Sequence, residues 1–136
     1  MKRLYRTKKL NHFIENYKDS MEEETLGAYL GRYLEEHALT MACAIRQAQI
    51  ERSYGYQIFR GIRLPSRDKV LQLAFGMRMN LEDTEKMLRI AGKSPLYPRL
   101  KRDAVIAFCL KEGITLEETQ EYLAKYGLSA LGEIES

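Results

Sequence analysis

The chain has little of what catalytic and metal sites are commonly built from. In 136 residues it holds two cysteines, Cys43 and Cys109, and two histidines, His12 and His37. The histidines lack ligand spacing to each other or to the cysteines, so neither a metal nor any other cofactor is expected. Both cysteines fall inside apolar helical patterns and read as buried, reduced thiols. There is no phosphate-cradling glycine loop, no nucleophile at a workable distance from a base, and no carboxylate pair on a positioning scaffold. The pairs Glu22-Glu23, Glu35-Glu36 and Glu117-Glu118 fall at helix starts or on exposed faces, where solvation accounts for them. An enzyme is therefore not expected. No apolar run approaches the roughly 18 residues that span a bilayer, and no signal-peptide core follows the basic segment Met1 to Lys9. The expectation is a cytoplasmic protein with no membrane partner.

A dominant charge is also missing. Lys and Arg number 22 against 19 Asp and Glu, a net of only +3. The distribution carries more information than the total. Lys2, Arg3, Arg6, Lys8 and Lys9 make a basic N-terminal arm, and Arg46, Arg52, Arg60, Arg63, Arg67 and Lys69 crowd one later stretch. Asp19, Glu22, Glu23 and Glu24 form an acidic patch, and acidic residues return after Lys111. Such polarity suits a protein with one side facing a polyanion.

What the chain does have is helical periodicity from end to end, so the expected fold class is all-α, in one compact domain large enough to need no staples. The arm is expected to lead into a short amphipathic helix through Leu10, Phe13, Ile14 and Tyr17. Leu26, Tyr29, Leu30, Tyr33 and Leu34 make a clearer stripe, with Glu22 to Glu24 placed at its positive dipole end. Thr40 caps the next helix. Ser66 caps a helix over Val70, Leu71, Leu73, Ala74 and Met77, and Asn80 with Asp83 opens another that stops at Gly92. After a loop marked by Pro95 and Pro98, a helix from about Arg99 to Glu112 and one capped by Thr115 complete the chain. Most tyrosines fall at core-compatible positions.

The stretch Thr40 to Gly61 reads as two short helices around a tight turn. Met41, Ala44, Ile45 and Ala48 make one apolar series, and Gly55, Ile58, Phe59 and Ile62 another. On the second helix Arg52, Ser53, Tyr56, Gln57 and Arg60 share the remaining face, and all are hydrogen-bonding types. Here IERSYGYQIFRGIRLPS resembles the motif of the lambda-repressor-like (XRE/Cro) helix-turn-helix family, through Ile50, Ser53, Tyr54, Ile58, Gly61, Pro65 and Ser66. The resemblance runs from about Thr25 to Gly92. Gln49 stands at the turn position the family usually fills with glycine, and Gly55 where an apolar core residue is usual. The resemblance implies a helix-turn-helix core with the helix around residues 52–60 in the major groove. It assigns base edges to Arg52, Ser53, Tyr56 and Gln57, and phosphate to Arg60 and Arg63; Arg46, on the outer face of the first motif helix, is a further phosphate candidate.

An internal repeat follows. Arg67, Asp68, Val70, Leu81, Glu82, Thr84, Leu88, Gly92, Ser94 and Leu96 recur 35 residues later as Arg102, Asp103, Val105, Leu116, Glu117, Thr119, Leu123, Gly127, Ser129 and Leu131. Two copies are too few for a free-standing solenoid, so the second helix pair is expected to stack on the first and extend one core. The expected organisation is an arm and short helix over 1–24, a helix-turn-helix domain over 25–92, and a helix pair over 93–136 packed on the same core.

The function expected from these readings is sequence-specific binding of double-stranded DNA by a transcriptional regulator, as a dimer on two half-sites. The alternative is a helical interaction module whose degenerate helix-turn-helix no longer binds DNA and whose C-terminal helix pair contacts a protein partner. Met41-Ala42-Cys43 favours the alternative, because a polar residue there would anchor the first motif helix to the DNA backbone.

Overall fold

The computed structural model describes residues 2–16 and 24–132, with side chains over 6–13 and 24–132. The described residues form eight helices and no strand: α1 (Lys2–Asn16), α2 (Leu26–Glu36), α3 (Met41–Gln47), α4 (Arg52–Phe59), α5 (Arg67–Gly76), α6 (Leu81–Ile90), α7 (Lys101–Lys111) and α8 (Leu116–Lys125). The fold is all-α.

Helix starts follow the short polar residues. Thr25, Thr40, Ser66, Asn80 and Thr115 each accept a hydrogen bond from the amide three residues on, at 2.7 to 3.2 Å, which satisfies an amide that the helix leaves without a partner. Three readings need correction. The basic arm is itself helical: Lys, Arg and Leu are good helix formers and nothing in Lys2 to Lys9 breaks the run, so α1 begins at Lys2. Glu24 precedes the Thr25 cap rather than sitting in the first turn of α2, and it pairs with Arg32 instead; Tyr17, Glu22 and Glu23 lie outside the described residues. The helix expected from Arg99 starts at Lys101, where Leu100 provides no side-chain cap.

Two close approaches set the packing around α3. A Cβ at Gly55 would meet the Ile45 side chain at 2.6 to 2.9 Å, so α4 can lie on α3 only without one. A Cβ at Gly76 would meet Ala48 Cβ at 2.8 Å and the carbonyl of Ala44, so α5 rests on the α3 backbone. The core then runs from Leu30 through Ile45 and Ile58 to Leu71, Met87 and Leu88, all at most 2% exposed, and continues into the last hairpin at Ile106, Cys109 and Leu123. Burial raises the Cys109 thiol pKa. Cys43 is only half-buried in the first turn of α3, beside Arg46.

The repeat copies match in detail. Thr84 and Thr119 are fully buried, and each hydroxyl donates at 2.8 Å to the carbonyl four residues back, Asn80 and Thr115. The Leu96 amide donates to Glu85 at 3.0 Å, and the Leu131 amide to the equivalent Gln120 at 2.8 Å. Arg67 holds the carbonyls of Ser94 and Pro95; Arg102 holds those of Ser129 and Ala130.

The contacts between copies are reciprocal. The two terminal guanidinium nitrogens of Arg67 donate to Asp103 at 3.0 Å, and Arg102 grips Asp68 in the same bidentate way at 2.9 and 3.1 Å. Asp103 also accepts the Tyr97 amide, and Asp68 the equivalent Gly132 amide. Helix α5 meets α8, and α6 meets α7. When residue i of one copy touches j of the other and j touches i, the relation is a twofold rotation, the intramolecular form of an isologous interface. A translated stack of solenoid units would give each contact in one direction only. The two hairpins therefore form a pseudo-twofold pair, with α2, α3 and α4 on the first.

Candidate nucleic-acid interface

The turn from Ala48 to Glu51 aims α4. Gln49 adopts φ of +57°, a left-handed conformation that costs a non-glycine residue about 1 to 2 kcal/mol. Its surroundings hold it there. Its own amide donates to the Arg46 carbonyl at 3.0 Å, Ile50 is buried in the core, and the buried Gln72 donates to the Ala48 carbonyl at 3.0 Å. Glu51 then caps α4 by accepting from the amides of Ser53 at 3.0 Å and Tyr54 at 2.8 Å. Those two backbone bonds, the Tyr54 bond first, hold the Glu51 carboxyl below its ordinary 4.5. At the far end Gly61 takes φ of +76° and stops the helix.

On the outward face, Arg52, Ser53, Tyr56, Gln57 and Arg60 line one shallow, open depression. Tyr56 stands at its centre, half-buried, with the guanidinium carbons of Arg52 and Arg60 each 5.7 Å from its ring centroid. Such cation–π contacts fix the arginines without neutralising them. Among the described residues no acidic side chain forms an ion pair with Arg52, Arg60 or Arg63; the ion pairs found there belong to Arg32, Arg67 and Arg102.

Arg63 is placed by a connection that the sequence did not reveal. The chain curls back after Gly61, so the amides of Ile62 and Arg63 donate to the Gln57 carbonyl at 2.9 and 3.2 Å. The Arg63 side chain follows, with its Nε 3.0 Å from Gln57 Oε1 and its guanidinium carbon 5.5 Å from the centroid of Tyr54. That bond takes one of the two lone pairs of Gln57 Oε1 and leaves the side-chain amide nitrogen as a donor. The face presents mainly donors: three guanidiniums and one amide, with the hydroxyls of Ser53 and Tyr56 able to act either way.

Arg46 does not join this face. It lies with Gln47, Gln49 and Arg78 in a cleft between α3 and the α7–α8 turn, and its guanidinium approaches Cys43 Sγ at 3.7 Å. At the start of α3, Met41 is half-buried and Ala42 exposed, so Thr40 is the polar side chain there and its hydroxyl already caps the helix. Among the described residues no cluster of three or more His, Cys, Asp or Glu could hold a metal ion, and no helix is long and apolar enough to cross a membrane.

No protein-family model matches the chain, and no curated protein or solved structure gives a significant match.

Proposed function

We propose that this protein binds double-stranded DNA in a sequence-dependent way, with α4 in the major groove, and serves as a transcriptional regulator. The observation that carries the reading is the face of α4 and the loop beside it: three arginines with no acidic partner among the described residues, arranged around Tyr56 and Gln57 on a helix fixed at both ends. A major groove about 12 Å wide admits a helix, and its guanine edges offer two adjacent acceptors that suit arginine. Arg52, Ser53, Tyr56 and Gln57 face the bases on this reading, and Arg60 and Arg63 reach the phosphates. The regulatory role rests on the family-like motif from Ile50 to Ser66. A protein-docking surface would instead place large apolar side chains on this face. The exposed Ile62 and Leu64 lie beyond it, in the loop after Gly61.

The test is selection of duplexes from a random library, followed by fluorescence-anisotropy titration of wild type, Arg52→Ala and Arg60→Ala at several salt concentrations. Arg52→Ala is expected to lose about 1 to 3 kcal/mol on the selected site and to relax one base position. Arg60→Ala is expected to weaken all sequences alike and to reduce the log–log salt slope by about 0.9. Equal losses on selected and scrambled duplexes from both substitutions would count against base reading by α4.

A further inference from the structure

The pseudo-twofold gives the two hairpins equivalent faces, and among the described residues only the first is covered. There α2 lies against α6, and Leu73, Met87 and Pro65 are buried. Their equivalents on the second hairpin are Phe108, Tyr122 and Leu100, exposed to 56%, 38% and 55%. Tyr126, equivalent to Ala91, is also exposed. These residues share one surface. Lys101 and Phe108 stand two turns apart on one side of α7, and Lys101 Nζ lies 5.2 Å from the Tyr126 ring centroid. Tyr122 is one turn before Tyr126. Most tyrosines fall at core-compatible spacing, yet Tyr122 and Tyr126 stay exposed on the same hairpin as Leu100 and Phe108, and exposed apolar surface of this kind on a folded protein marks an interaction site.

The covered face indicates what fits the bare one. On the first hairpin the occupant is an amphipathic helix, α2, with Tyr29 and Tyr33 on its buried stripe. An α3-like occupant does not suit the second hairpin, because Lys111 stands where Gly76 admits the α3 backbone. One helix lying as α2 lies is the remaining geometry.

Helix α1 has the matching chemistry. Leu10 and Phe13 lie one turn apart and are more than half exposed. α1 carries Lys2, Arg3, Arg6, Lys8 and Lys9 against Glu15, whereas α8 carries Glu117, Glu118 and Glu121 against Lys125. Arg6 and Lys9 each precede one of the apolar residues by a turn, and Glu118 precedes Tyr122 by a turn, so apolar contact and opposite charge coincide. Leu10, Phe13, Leu100 and Phe108 each keep more than half of their surface exposed within one chain, so a second copy can bring the two surfaces together. We propose that α1 of one copy docks on the Leu100, Phe108, Tyr122 and Tyr126 face of a second copy, in the position that α2 takes on α6.

Sedimentation of the full chain across a concentration series tests this. The expected result is a reversible dimer. Phe108→Asp, Tyr126→Asp and deletion of residues 2–16 should each raise its dissociation constant at least about tenfold, which is a loss of about 1.4 kcal/mol. Circular dichroism melts confirm that each variant is folded, and the two aspartate substitutions at exposed positions back each other. Mixing Phe108→Asp with the deletion variant should yield a heterodimer, since one retains the helix and the other the face. A full chain that stays monomeric at about 0.1 mM, where micromolar affinity would be evident, overturns the proposal. So does a dimer that survives the deletion, since that would require a face-to-face contact without α1.

Discussion

Gln49 and Gln57 show how single side chains set the α3–α4 unit. Gln49 holds a left-handed backbone that glycine adopts without strain. Gln49→Gly should therefore raise stability by about 0.5 to 1 kcal/mol, the relieved strain less the added unfolded-state entropy of glycine. A thermal melt would show this as a rise of a few degrees; a fall would mean that the Gln49 side chain contributes more than its backbone costs. Gln57 is tied to Arg63 through Oε1, and adenine recognition by glutamine needs that acceptor. On the DNA-binding reading, wild type should prefer guanine where Gln57 meets the groove. Arg63→Ala should free Oε1 and shift that preference toward adenine by about 1 kcal/mol. Competition titrations with guanine and adenine at that position check it, and an unchanged ranking would dissociate Gln57 from base choice.

At the scale of elements, the two Arg–Asp clasps hold the hairpins together, and their burial ranks them. The Asp103 side chain is 5% exposed and that of Asp68 17%. Removing an arginine strands a carboxylate, at a cost that grows with burial. Arg67→Ala should thus cost about 3 kcal/mol and Arg102→Ala about 1 to 2, as read from urea denaturation; the reverse order would contradict the clasp as described. Burial alone would raise the Asp68 pKa, but the Arg102 hydrogen bonds, the Gly132 amide and the charges of Arg102 and Arg67 outweigh it and leave it below its ordinary 3.8. A lowered carboxyl pKa stabilises the fold above the unfolded value and loses that contribution as pH falls through the folded value. The gap between wild type and Arg102→Ala should accordingly close below about pH 4. A chain ending at Lys93 would lose Asp103, uncover the first hairpin on the side that α7 and α8 occupy, and melt lower or aggregate. An unchanged melting temperature and solubility would show that the second hairpin is not part of the same cooperative unit.

These elements also show what could be read from the sequence. Helices with Thr, Ser or Asn caps were legible to within a residue or two, because the cap is local chemistry. Helix α7 was misplaced by two residues at its start because Leu100 carries no capping group, and α1 was shortened because its charges hid good helix formers. The repeat was legible at 35 residues, but sequence equivalence does not distinguish rotation from translation. That information lies in which copy each arginine reaches. The same limit hid the Arg63–Gln57 bond, which depends on the backbone curling back after Gly61, and the exposure of Phe108, Tyr122 and Tyr126, whose equivalents are covered only on the first hairpin.

For the whole molecule, the five residues Arg52, Ser53, Tyr56, Gln57 and Arg60 that share a face by helical spacing also share one depression, whereas Arg46 belongs to a separate cleft. A net charge of +3 is too small for long-range attraction to dominate, so on the DNA-binding reading α4 draws on local contacts and shows sequence preference at ordinary salt. The most direct measurement is wild-type affinity for a selected duplex and for a scrambled duplex of the same composition, by fluorescence anisotropy at about 0.1 M salt. The account predicts a preference for the selected duplex of about 10³-fold or more, lost in part with Arg52→Ala. Equal affinity for the two duplexes would contradict it and leave the helical interaction module as the better description of the protein.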